Sequence, residues 1–269
     1  MLIGIAIYAY PAVSQYLAKK NQSEVIENYD ESIEDLSNEE INEELEKATI
    51  YNENLSGDPV HDPFIQGSGY AIPDNYWDVL NLSGDGIMGY IKIPKISVYL
   101  PIYHGTDEEI LEKGVGHIEQ SSLPVGGEST HSVLSAHTGL PSAELFTNLI
   151  DLEVGDCFYI YVLDETLKYE VSRINIVLPD DVSTLTIEDG EDLVTLVTCT
   201  PYGVNTHRLL VTGTRVEFEA EEETSGLESS SDDTIIKLYI KITIAVAIAT
   251  IIFIIIFNVY KRHKKNKQM

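Results

Sequence analysis

Cys199 closes an apolar run, LVTLVTC, and Arg208 opens the next, RLLVTG, with the turn-rich TPYGVNTH between them. Two such runs joined by a turn form a hairpin, and residues at its mouth on opposite strands can point to one face. A thiol and a guanidinium would then be neighbours at a single rim. Nucleophilic sulfur is the thiolate, whose formation a neighbouring cation favours. The fixed fork of donors on arginine can also hold a developing oxyanion or a substrate carbonyl. The pair therefore suits attack of sulfur on an acyl carbon.

Such attack needs an acid to protonate the leaving amine, most often histidine. Of the seven histidines, His263 lies in a basic tail at the far end and is excluded. His207 adjoins Arg208, so in a strand it points to the opposite face. His131 and His137 share the segment THSVLSAHTGLP with the same parity, so alternation does not choose between them. His137 ends its strand at a Thr-Gly turn, where rim chemistry is expected, and is favoured. His104 and His117 lie in or beside loops and stay open. Each of these residues also has a plainer reading: a strand-end cysteine packs as a small apolar group, and a lone histidine satisfies a structural hydrogen bond. Cys157 alternates with Tyr159 and Tyr161 and reads as packing, with a Cys157–Cys199 disulfide as the rival. No Cys or His pair has metal-ligand spacing, so neither metal nor cofactor is expected.

The elements that must position these groups are mostly strands. Between about Ile87 and Phe218 the runs GYIKIP, VYLPIYH, HSVLSAH, CFYIYVL, LKYEVSRINIVL, LVTLVTC and RLLVTGTRVEF are rich in Val, Ile, Leu, Tyr and Thr. Only DEEILEKGV and SAELFTNLI read as helical. Many short strands with few helices predict a mainly β barrel or sandwich. Upstream, Ile33, Leu36, Ile41 and Leu45 recur at helical spacing in an acidic stretch, predicting one or two surface helices with little core of their own.

The formal net charge of -27 excludes nucleic acid as a partner, since phosphate binding needs a basic footprint. Residues 237–260 are apolar over about the 20 residues that cross a bilayer, and Lys261, Arg262, Lys264, Lys265 and Lys267 follow at once. Basic tails stay cytoplasmic, which places the acidic body outside the cell. The predicted organisation has six parts. Residues 1–18 are a short apolar segment, read as a remnant signal or anchor with a peripheral amphipathic helix as the alternative. Residues 19–79 are an acidic helical region, 80–218 the β body, 219–236 an acidic linker, 237–260 a transmembrane helix and 261–269 a basic tail.

Three stretches, GYIKIPKISVYLPIYHG, GVGHIEQSSLPVGG and TLVTCTPYGVNTHRLLVTG, together with SVLSAHTGLPSAELFTNL, resemble the sortases, and within them the class C, pilus-assembly group. The resemblance implies a closed eight-stranded barrel with Cys199 as nucleophile, His137 as acid and base, and Arg208 as substrate and oxyanion stabiliser. It implies cleavage of an LPXTG-like sorting signal between Thr and Gly through a thioester. The acyl group would pass to a lysine amine of a pilin subunit or, in a housekeeping enzyme, from a surface protein to a cell-wall peptide. It also implies a lid carrying the tripeptide Asp62, Pro63 and Phe64 of HDPFIQ, in which Asp62 pairs with Arg208 and Phe64 covers the sulfur. A non-catalytic pilus scaffold is the reading from another class.

Overall fold

The structure is a computed structural model and describes residues 2–55 and 75–218. The lid tripeptide 62–64, the linker, the apolar segment 237–260 and the basic tail lie outside the described residues. Among the described residues no helix is long and apolar enough to cross a membrane.

Eight strands close into a barrel: β1 (Ile87–Ile93), β2 (Val98–His104), β3 (Val115–His117), β4 (Thr130–Ser135), β5 (Cys157–Val162), β6 (Glu165–Val177), β7 (Asp192–Thr200) and β8 (His207–Val216). Their order around the barrel is β1-β2-β3-β4-β7-β8-β6-β5, closed by pairing of β1 with β5. Two neighbour pairs are parallel, β2 with β3 and β4 with β7. Closure leaves no long sheet edge to be covered.

Sequence alternation sorts the side chains of β7 and β8 between two apolar clusters. Val194, Leu196, Leu209 and Val211 belong to the main cluster, which fills the barrel and continues beneath the N-terminal helices. Val197 and Leu210 belong to a smaller cluster with Ile118, Val133 and Leu185, against which Val177 and Val182 pack. Because successive residues of a strand face opposite ways, the smaller cluster lies on the outer face. The connection from β6 to β7 folds over it.

Two stretches read as helical are largely something else. DEEILEKGV yields only the four-residue α3 (Glu108–Leu111) and then enters β3, a strand the sequence reading did not separate. Gly114 marks the break, since a Cβ there would lie 2.7 Å from the Tyr103 ring and 2.8 Å from the Pro101 carbonyl oxygen. SAELFTNLI forms turns and a single 3-10 turn, Leu149–Asp151. Leu145 adopts φ +45, outside the right-handed helical region, and its neighbours Phe146 and Leu149 are fully buried. Core burial of three apolar side chains on an irregular path outweighs helix propensity here.

The N-terminal region is helical, as the spacing implies, and it is docked on the barrel. α1 (Leu2–Glu34) is one continuous helix with Pro11 inside, and α2 (Asn38–Glu53) begins at a capping box of Ser37 and Glu40. Ile26, Tyr29, Ile33, Ile41, Ala48 and Tyr51 all join the main core. The Tyr29 hydroxyl accepts from Leu163 N at 2.8 Å and donates to the Met88 carbonyl at 3.3 Å. Asn52 clasps Leu123 at both ends, donating to its carbonyl at 3.1 Å and accepting from its N–H at 2.7 Å. Asn52→Ala should leave both backbone groups buried without a partner and lower stability by about 2–3 kcal/mol, read from the urea midpoint.

Candidate active site

The β7–β8 register places Cys199 directly opposite Arg208. Residues opposed in an antiparallel pair share a face, with Cβ atoms roughly 4.5–5.5 Å apart. That face is the outer one, because Cys199 keeps step with Val197 and Arg208 with Leu210, both in the outer cluster. Cys199 is half-buried at the end of its strand, whereas Arg208 is 7% exposed. One Arg208 Nη1 faces the carbonyls of His207 at 3.3 Å and Asn205 at 3.4 Å, so the guanidinium also ties down the β7–β8 turn.

His137 approaches from the other side. In the parallel β4–β7 pair Ser135 is level with Val197. The following residue stays in step, with Ala136 N donating to the Val197 carbonyl at 3.2 Å and Thr198 Oγ1 donating to the Ala136 carbonyl at 2.8 Å. One residue further, the same register brings His137 level with Cys199. Its parity is that of Val133 in the outer cluster, so it faces outward as well. The backbone beyond it turns sharply: Gly139 at φ +75 donates from its N–H to Thr147 Oγ1 at 3.0 Å, and Phe146 N donates to the His137 carbonyl at 3.1 Å. Three adjacent strand ends thus carry, in one row, an imidazole, a thiol and a guanidinium.

Burial holds the His137 imidazole below its ordinary value, while the carboxylates of Glu112 and Glu108 oppose that shift. Near pH 7 its neutral form therefore predominates. Cys157 and Cys199 are both thiols; Cys157, on β5 opposite Glu170, is remote from this row in the strand order.

The other histidines among the described residues stand apart from this row. His131, 1% exposed, lies beneath the outer face between the Thr186 carbonyl at 2.8 Å and Thr195 Oγ1 at 2.7 Å, and burial lowers its pKa. His117 contacts the Tyr76 hydroxyl at 3.0 Å and the Ser122 carbonyl at 2.8 Å, and burial pushes it down to about 3. His104 spans the carbonyls of Gly86 and Val79. His207, paired with Thr200 in the register, faces away from Cys199. Parity could not separate His131 from His137; depth does. The sequence reading missed the outer apolar floor and Tyr202, whose ring packs on Gly139. A cavity of about 440 Å³ lies elsewhere, between α1 and β2, with Lys19, Tyr99 and Glu144 in its wall.

A thiol flanked by imidazole and guanidinium on the outer face of a closed eight-stranded barrel defines a cysteine-centred barrel protein. The comparisons make this specific: the chain belongs to the sortase family, the sortase domain matching residues 91–216. Sortase C-1 of Actinomyces oris superposes with a TM-score of 0.62 at 50% identity, covering 66% of this chain and 99% of that one. Sortase C of Streptococcus pneumoniae gives a TM-score of 0.68 at 43% identity over 73% of this chain and 98% of that one. Sortase D of Bacillus subtilis is 36% identical over 131 residues, 48% of this chain, and the chain spans 63% of that protein's length. Its structural neighbours place it with the class C sortases.

Proposed function

We propose that this chain is a membrane-anchored transpeptidase that cleaves an LPXTG-like sorting signal between Thr and Gly and joins the Thr carbonyl to a pilin lysine amine. The observation that supports it most is the direct opposition of Cys199 and Arg208, with His137 on the other flank of the sulfur.

The Cys199 thiolate attacks the Thr carbonyl carbon, and the Arg208 fork receives the negative charge that develops on oxygen. The C–N bond to Gly breaks, His137 gives its proton to the departing amine, and a thioester remains. A lysine amine then attacks the thioester carbon and gives up its proton to His137. The C–S bond breaks, the isopeptide forms and the thiolate returns. The partners are pilin subunits bearing sorting signals. A related sortase C, that of S. pneumoniae, has pilin substrate specificity. The lid of Asp62, Pro63 and Phe64, the membrane segment 237–260, the cytoplasmic tail and the extracellular site belong to the same reading.

The test is to incubate the full chain, wild type and with Asp62→Ala and Phe64→Ala together, with an LPXTG-type peptide and hydroxylamine. A hydroxamate ending at Thr, formed faster by the double variant, is the expected product. No hydroxamate from either protein overturns the transpeptidase reading and leaves the scaffold. Equal rates overturn the lid alone. Purified pilin and a cell-wall peptide offered as competing acceptors separate pilus assembly from housekeeping anchoring.

A further inference from the structure

The strand order gives the site two unlike flanks. Around the barrel the sequence β4-β7-β8 sets His137 on one side of Cys199 and Arg208 on the other. The acyl oxygen belongs with the guanidinium donors. Every amine that leaves or arrives must exchange a proton with His137, within hydrogen-bond reach of about 2.6–3.2 Å. The amine side is therefore the β4 side.

Tyr202 stands on that side. The turn leaving β7 reaches the segment that follows β4: a Cβ added to Gly139, two residues past His137, would meet Tyr202 Cε2 at 3.1 Å. The ring thus rests against a glycine that has no side chain to hold it off. Even so Tyr202 remains 69% exposed, and Val204 in the same turn is 64% exposed. A ring so exposed contributes little to the core, and it packs on a residue two along the chain from the group that handles the amine proton. α3, which leads into β3 next to β4, places the Glu108 and Glu112 carboxylates near enough for His137 to feel their charge.

We infer that Tyr202 is a specificity-determining contact for the acceptor: its ring receives the methylene stem and ammonium of the incoming lysine and leads the amine to His137. The assignment rests on the transpeptidase reading above. An aromatic face attracts an ammonium and packs against its aliphatic stem, while the neighbouring carboxylates favour a cation over water-borne anions. The ammonium first gives one proton to solvent; the neutral nitrogen then forms the new C–N bond as the C–S bond breaks, and its second proton passes to His137. When the ring is absent, water competes better for the same thioester.

The experiment uses the full chain with Asp62→Ala and Phe64→Ala, a fluorescent LPXTG-type peptide, and Nα-acetyl-lysine amide or hydroxylamine as acceptor. Product ratios of aminolysis to hydrolysis are read by mass spectrometry, and donor cleavage without acceptor reports acylation. Tyr202→Ala should lower the lysine ratio about tenfold and leave acylation and the hydroxylamine ratio within about twofold; Tyr202→Phe should keep the lysine ratio. An unchanged lysine ratio in Tyr202→Ala overturns the acceptor contact, and so does an equal fall with hydroxylamine or in acylation, which marks a loop-structural role. Absence of donor cleavage before Tyr202 is altered overturns instead the transpeptidase reading on which the contact depends.

Discussion

Cys199→Ala should cut donor cleavage by at least about 10⁴-fold while the barrel stays folded, because removal of a covalent nucleophile leaves only binding and oxyanion stabilisation. The change takes one sulfur from a half-buried strand end and leaves the β7–β8 ladder intact. Thermal unfolding should therefore shift little. The control is Cys157→Ala, which removes the protein's other thiol from a strand remote in the barrel order and should leave turnover near wild type. Cleavage by Cys199→Ala within about tenfold of wild type would end the proposal that sulfur is the nucleophile.

Arg208→Lys should lower kcat/KM by about 10²–10³-fold, although the charge is kept. A lysine ammonium is a point charge on a flexible stem, whereas the guanidinium is a planar fork held in one orientation. Here that orientation is fixed twice: by the strand register opposite Cys199, and by the contacts of Nη1 with the carbonyls of Asn205 and His207. Measuring kcat/KM beside the thermal midpoint separates the two roles. A rate loss with an unmoved midpoint assigns the effect to the oxyanion. A lysine variant within about threefold of wild type would show that charge alone suffices.

The sequence made the pairing of Cys199 with Arg208 legible because a hairpin is a local object. Its turn residues and two alternating runs fix which positions meet. The neighbourhood of His137 was harder, since β4 and β7 are parallel and far apart in the chain, and nothing local sets their register. Parity left His131 and His137 equivalent, and both do face outward. They differ in that His131 is sealed under the β6–β7 connection by Thr186 and Thr195. β3 escaped notice because a three-residue strand carries no detectable alternation, and its backbone pairs on both sides only in the closed barrel. SAELFTNLI has helical spacing, yet the core takes Leu145, Phe146 and Leu149 without a regular helix. The helices α1 and α2 were visible as periodic segments. Their docking, through Tyr29, Tyr51 and Asn52, depends on backbone partners that no sequence pattern announces.

The parallel union of β4 with β7 has one more effect. Parallel strands need a crossover rather than a tight turn, and here the crossover from β4 to β7 runs through β5 and β6, which must be completed before imidazole and sulfur meet. Until then the cysteine has no imidazole beside it to take or return a proton. Nascent and unfolded chains thus lack the assembled row of groups that the proposed transfer needs, and it comes together only when β4 pairs with β7.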